Sequence, residues 1–109
     1  MSRPISDVLH ELVKTVTAML APVPAFVATD VLIRLHADVS AAIRKPAESV
    51  RVIDDIARFT IESLIHMTTA GTAEERNRWA RVARALAGEV EGDLKRAREE
   101  ELRQLRDSR

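Results

Sequence analysis

The last third of the chain, residues 72–109, constrains the fold most, because it contains no proline and repeats its apolar residues at helical spacing. The repeating positions are Trp79, Ala83, Leu86, Val90, Leu94, Ala97 and Leu105. Steps of three and four residues place side chains on one face of an α-helix. The pattern therefore predicts one helix over residues 73–105. A helix of that length reaches about 50 Å.

The start of this helix carries a capping signal. Thr72 is followed three residues later by Glu75, the spacing of a capping box, in which each side chain accepts a backbone N–H of the other residue. Gly71 suits the left-handed position at which a preceding helix often ends. Gly88 and Gly92 each weaken a helix by about 1 kcal/mol relative to alanine. A kink or break near these two glycines is therefore left open.

Three further helices are predicted over about residues 4–21, 25–45 and 47–70. Prolines at 22, 24 and 46 separate them, because the residue before a proline disfavours the helical conformation. The second helix has a wide apolar arc, because Leu32 and Ile33 lie beside the apolar stripe that contains Val31. This width predicts burial against more than one neighbour. The chain is thus predicted to be one all-α domain, a four-helix bundle with a long, charged C-terminal helix.

The composition fits a small helical protein. The chain has 109 residues, of which 46 % are hydrophobic, yet Phe26, Phe59 and Trp79 are its only aromatic residues. Its core is therefore expected to be aliphatic. The absence of cysteine excludes disulfides and thiolate chemistry. No apolar run approaches the length of a membrane span, so a cytoplasmic protein is expected. The composition, rich in Ala, Arg and Val, suggests a bacterial or phage source.

The apolar stripe of the last helix predicts a partner. Once shorter helices are docked at Trp79 and Leu86, Val90 and Leu94 should lie beyond their reach. We therefore expect coiled-coil-like association of two copies, weakening past Ala97, with residues 98–109 frayed. The predicted oligomer interface comprises Trp79, Ala83, Leu86, Val90, Leu94 and Ala97. The alternative is a lone charged helix stabilised by pairs such as Arg96 with Glu100.

One local charge imbalance lies on the same helix. Arg76, Arg78, Arg81 and Arg84 occur with no acidic residue between them. Arg78, Arg81 and Arg84 are predicted to share the face opposite the apolar stripe, where they could bind phosphates or an acidic protein. The chain carries 17 basic and 17 acidic residues, and this zero net charge disfavours a dedicated nucleic-acid binder. An ordinary arginine-rich surface remains the alternative.

Neither a metal site nor a catalytic motif is predicted. His10, His36 and His66 fall on three different helices, and metal binding would require them to project together into the core. We interpret them as surface residues, and no cofactor is expected. No phosphate-binding loop or nucleophile motif is present.

The sequence therefore predicts a non-enzymatic protein–protein interaction module, such as a small regulator, adaptor or assembly subunit. A DNA- or RNA-binding regulator is the alternative. A membrane surface is not an expected partner, because Asp7 and Glu11 of the first amphipathic helix disfavour anionic lipids.

Overall fold

The chain is a bundle of four helices. A computed structural model describes the backbone of residues 4–43 and 48–108 and the side chains of residues 4–43 and 52–108. The helices are α1 (Ile5–Met19), α2 (Thr29–Ala42), α3 (Glu48–Thr69) and α4 (Ala73–Asp107). The described residues form no strand. The predicted all-α architecture with a long C-terminal helix is confirmed.

Consecutive helices run in opposite directions around the bundle. Near the ends of α1 and α4, the Ser6 hydroxyl donates to a Glu101 carboxylate oxygen at 2.6 Å. The Ser40 hydroxyl of α2 donates to the Asp54 carboxylate of α3 at 2.7 Å. Helix α1 packs against all three others, whereas no Cα atom in the described part of α2 lies within 8 Å of one in α4. Helices α2 and α4 are therefore diagonal to each other.

The core is aliphatic, as the composition predicts. Its buried side chains come from all four helices and are Val8, Leu9, Leu12, Val16, Met19, Leu32, Leu35, Val39, Ala57, Ile61, Leu64, Met67, Ala83, Val90 and Leu94. Helix α2 does contact two neighbours, α1 and α3. Its apolar arc is narrower than predicted, however, because Val31 and Ile33 are 51 % and 56 % exposed.

Three helix ends differ from the prediction. Helix α1 ends at Met19 and α2 begins at Thr29 instead of at about residue 25. The delay arises because the backbone N–H of Ala25 donates to the carbonyl of Ala18 at 3.0 Å, which folds the segment back over the end of α1. The second helix also ends earlier than the predicted residue 45, because its last residue is Ala42 and Ile43 has an extended backbone. The predicted start of the third helix at 47 lies outside the described residues.

Helix α4 begins as predicted. The Thr72 hydroxyl accepts the backbone N–H of Glu75 at 3.1 Å. The reciprocal bond is shifted by one residue, because the Glu75 carboxylate accepts the N–H of Gly71 at 3.4 Å. The prediction that Gly71 takes a left-handed conformation is wrong, since no described glycine has a positive φ.

The rest of α4 is an uninterrupted helix. It runs through Gly88 and Gly92 without a break and continues to Asp107. The prediction of a frayed end over residues 98–109 is therefore wrong for the residues up to 107. Contact with α1 supports the helix as far as Glu101, because Glu101 pairs with Ser6 and Arg98 Nη2 lies 3.3 Å from His10 Nδ1. Residues 102–107 are helical but exposed.

The premise that Val90 and Leu94 are spare apolar surface is also wrong. Their exposed fractions are 1 % and 6 %. The antiparallel contact of Ser6 with Glu101 sets α1 against the second half of α4 instead of the first half. The residues that were expected to need a second copy thus belong to the core that α4 shares with α1 and α3, and the other end of α1 stops short of the beginning of α4.

Candidate binding groove

The offset of α1 along α4 leaves a groove at the opposite end of the bundle. There the first turns of α4 and the last turn of α3 face the segment that joins α1 to α2, not a fourth helix. The resulting recess has a volume of about 450 Å³, which is within the range of sites that hold ligand groups. Its lining consists of Met19, Leu20, Ala21, Pro24, Ala25, Phe26, Met67, Thr68, Arg76, Asn77, Ala80 and Arg84.

The floor of the groove is made by two methionines. Met19, the last residue of α1, is 2 % exposed, and Met67, near the end of α3, is 8 % exposed. Methionine is unbranched and polarizable, so it adapts to differently shaped apolar groups, and it is common at protein surfaces that bind several partners. Ala80 of α4 also lines the recess. The floor is therefore apolar and deformable.

One wall is the segment between α1 and α2, and it displays a large apolar side chain. Phe26 lines the groove and is 87 % exposed, and Val23 is 89 % exposed. Pro22 and Pro24 restrict the backbone here, and the bond from Ala25 N–H to Ala18 O ties the segment to α1. Phe26 is thus held in water by a constrained backbone, and this placement costs hydrophobic free energy that an apolar partner would recover.

Two arginines supply the only charges in the lining. Arg76 and Arg84 are exposed, and neither has an ion pair with a described residue. The other polar residues of the lining are Thr68 and Asn77. The Thr68 hydroxyl already donates to the carbonyl of Ile65 at 2.8 Å. The groove therefore combines an apolar interior with two uncompensated positive charges.

A second recess adjoins the first along the α1–α4 seam. Its volume is about 500 Å³, and it shares Leu20, Ala21 and Arg84 with the groove. Gly88 also lines it, and a Cβ atom added at that glycine would meet no atom within 4 Å. Arg84 therefore lines both recesses, and Glu91 lines the second one with it.

The predicted arginine cluster is divided. Arg76 and Arg84 line the groove, whereas Arg78 and Arg81 are exposed and line neither recess. Arg78, Arg81 and Arg84 were expected to share one binding face, but of these three only Arg84 lines the groove. Arg84 turns towards α1, and Arg76 is its partner in the lining.

The predicted oligomer-interface residues are used largely inside the chain. Ala83, Val90 and Leu94 are buried, and Trp79, Leu86 and Ala97 are half-buried. Trp79 stacks on His66 of α3, with 4.4 Å between ring centroids and 21° between ring planes. The large apolar residues of α4 that stay exposed are Val82, Leu102 and Leu105.

The three histidines lie at three separate helix contacts. His10 is near Arg98, His66 stacks on Trp79, and His36 Nε2 lies 3.5 Å from an Asp54 carboxylate oxygen. That last contact is within ion-pair range but does not meet hydrogen-bond geometry. Among the described residues no group of three or more histidine or carboxylate side chains could hold a metal ion.

One buried charged residue was not anticipated from the sequence. Asp93 of α4 is 4 % exposed. One carboxylate oxygen pairs with Arg96, and the other is buried without a partner among the described residues. The sequence signal for its burial was ambiguous. Asp93 stands next to Leu94 and three residues after Val90, which favours burial, but the surrounding region is dense in charge, which favours exposure.

Comparison with known proteins gave no functional guide: no family model, curated protein or solved structure matches this chain. None of the helices in the described part of the chain has the length and apolar character needed to cross a bilayer.

Proposed function

We propose that this chain is a non-enzymatic protein-interaction module, a small adaptor or regulator, which holds a segment of a partner protein in the groove at the start of α4. The observation that carries the proposal is Phe26, 87 % exposed at the wall of an apolar recess of about 450 Å³. Aromatic, methionine and arginine side chains, which together line this recess, are enriched in protein–protein interfaces.

The lining favours binding over catalysis. Eight of its twelve residues are apolar, and none is a carboxylate, an imidazole or a thiol that could act as a general base or nucleophile. Two arginines can orient an anionic group, but nothing beside them is suited to move a proton. The proposal takes the cytoplasm of a bacterial or phage-infected cell as the setting.

The proposed docking surface differs from the one that the sequence suggested. Self-association through the α4 stripe would need Val90 and Leu94 to leave the core, where they are 1 % and 6 % exposed. Association of two copies would then use another surface, and the groove offers the most exposed aromatic side chain among the described residues. A dimer is thus one outcome of the test instead of its premise.

Nucleic-acid binding receives less support. Two of the four arginines lie outside the groove, and the 17 basic and 17 acidic residues cancel. Phosphate recognition relies on dense positive charge and on counterion release, whereas this lining is mostly apolar.

Site-specific cross-linking tests the proposed function. A photoactivatable phenylalanine analogue replaces Phe26 in the full chain, and the matched control replaces Phe59, which is 46 % exposed on α3. In cells that make the natural protein, we expect a discrete adduct from position 26 and none from position 59. Adducts of equal yield from both positions, or none from position 26, would contradict the proposal. An adduct of twice the chain mass would identify a second copy as the partner.

A further inference from the structure

We infer that the segment bound in the groove is an amphipathic helix that carries one large apolar anchor flanked by two carboxylates about two helical turns apart. The inference rests on the proposed function and adds to it the chemistry of the partner.

The spacing of the two arginines sets the charge requirement. Arg76 and Arg84 are eight residues apart on one helix, a separation of about 12 Å along its axis. Neither has an ion pair with a described residue, and no acidic residue lines the groove. A guanidinium binds a carboxylate with two parallel hydrogen bonds. Two carboxylates about seven or eight residues apart on a bound helix match this separation.

The backbone of the groove favours a helical occupant over an extended one. An extended peptide gains affinity by pairing its N–H and C=O groups with an exposed strand edge, and the described residues offer none. The groove is walled by helices, whose backbone groups are bonded internally. The Ala25 N–H in the remaining wall is already donated to Ala18. A bound helix satisfies its own backbone and presents only side chains.

The apolar interior of the groove determines which kind of side chain can serve as the anchor. Met19 and Met67 form a floor that can adjust to one inserted side chain, and Phe26 can cover it from the wall. Leucine or phenylalanine midway between the two carboxylates would enter the recess while both acids reach the rim. A fatty acid would fill the same interior but brings a single carboxylate, which leaves one arginine without a partner.

Designed peptides test this inference. A helical peptide of about 18 residues, long enough for measurable helicity, carries two glutamates seven residues apart with leucine between them on the same face. A second peptide has the same composition with both glutamates moved to the opposite face, and a third has the leucine replaced by alanine. Binding of each labelled peptide to the full chain is followed by fluorescence polarisation at low and high salt.

We expect the first peptide to bind about tenfold or more tightly than either control, because each lost contact is a charge-assisted hydrogen bond or a buried side chain. Binding should weaken with salt. The variant carrying Arg76→Glu and Arg84→Glu should lose this peptide and gain its lysine counterpart. The matched variant carrying Arg78→Glu and Arg81→Glu, with the same change in charge, should bind as the natural chain does. Circular dichroism confirms that both variants are folded.

Three results would overturn the inference. The first is equal binding of all three peptides, and the second is equal loss in the two arginine variants. The third is displacement of the bound peptide by a fatty acid at the same concentration, which would assign the groove to a lipid-like carboxylate. If no peptide binds while the cross-link at position 26 persists, the helical acidic partner is refuted and the interaction module stands. Loss of the cross-link as well would refute both.

Discussion

At the scale of single residues, Asp93 is a buried carboxylate that is only partly compensated. It is 4 % exposed, and its ion-pair partner Arg96 has a side chain that is 69 % exposed. The second carboxylate oxygen is buried without a partner among the described residues. Leaving a buried polar atom unsatisfied costs about 1–3 kcal/mol, and this penalty exceeds the value of an ion pair whose cation is largely in water.

Replacing this carboxylate should therefore stabilise the protein. We expect Asp93→Ala to raise the free energy of unfolding by about 1 kcal/mol, because the desolvation cost disappears and alanine is the better helix former. Urea denaturation measures the change. Glu89→Ala, at an exposed position of the same helix, is the control and should alter stability by less than about 0.5 kcal/mol. A loss of stability in Asp93→Ala would mean that the carboxylate is compensated.

At the scale of helices, the two glycines of α4 lower the helix propensity of the longest element, although neither close packing nor backbone conformation requires a glycine there. A Cβ atom at Gly88 would meet nothing within 4 Å, and at Gly92 it would meet only the flexible end of Arg96 at 3.7 Å. Neither glycine has a positive φ. Both positions can therefore accept alanine without strain.

We expect Gly88→Ala and Gly92→Ala each to raise the free energy of unfolding by about 1 kcal/mol, and their effects to add. Thermal unfolding followed by circular dichroism measures both. Gly71→Ala, outside the helices, should change stability less. If neither helical substitution stabilises the chain, the inference that these glycines weaken α4 is wrong.

The first turn of α1 depends on a side chain from α4. Pro4, at the N-cap of α1, provides no side-chain hydrogen bond. Instead Glu101 accepts from the Ser6 hydroxyl at 2.6 Å and from the Ser6 backbone N–H at 3.4 Å. A carboxylate near a helix N-terminus is favourable, because it satisfies a free N–H group and opposes the helix dipole. Glu101 thus caps another helix.

Removing this cap should destabilise the end of the α1–α4 contact at which α1 begins. We expect Glu101→Ala to lower the free energy of unfolding by about 1 kcal/mol, and Glu99→Ala, at an exposed neighbour, to have little effect. A double-mutant cycle with Ser6→Ala isolates the pair, because the two losses should fail to add if the side chains interact. Strict additivity would contradict a direct bond.

Helix boundaries were predictable where the signal is local. Thr72 and Glu75 define the start of α4 in sequence and in structure, since N-capping involves only neighbouring residues. Glu101 interrupts the apolar stripe, so sequence alone suggested a frayed end. Its role depends on Ser6, which is 95 residues away. The late start of α2 likewise follows from the bond between Ala25 and Ala18, which no local pattern specifies.

At the scale of the whole molecule, the offset between α1 and α4 determines what is buried and what is open. Periodicity predicts which face of each helix is apolar, and that was enough for the all-α class. It contains no information on how far one helix slides along another, because a shift by a whole turn presents a similar apolar face. Two of the twelve lining residues, Arg76 and Arg84, were named from sequence as binding residues. The roles of Phe26, Met19 and Met67 in the lining required the offset to be known.

This arrangement makes the α4 stripe and the groove respond differently to an introduced charge. Val90 is 1 % exposed, and an unpaired carboxylate buried there costs several kcal/mol, a large part of the total stability of a small domain. We expect Val90→Asp to abolish cooperative thermal unfolding, and Phe26→Asp to leave the unfolding midpoint nearly unchanged. Were the stripe instead an interface between folded copies, light scattering and circular dichroism would show Val90→Asp as a folded monomer. For the binding assay, the photoactivatable group is placed at Val23, which is exposed and near Phe26. Phe26→Asp should then lose the cross-link to the partner. The substitution that spares the fold is thus the one that removes binding.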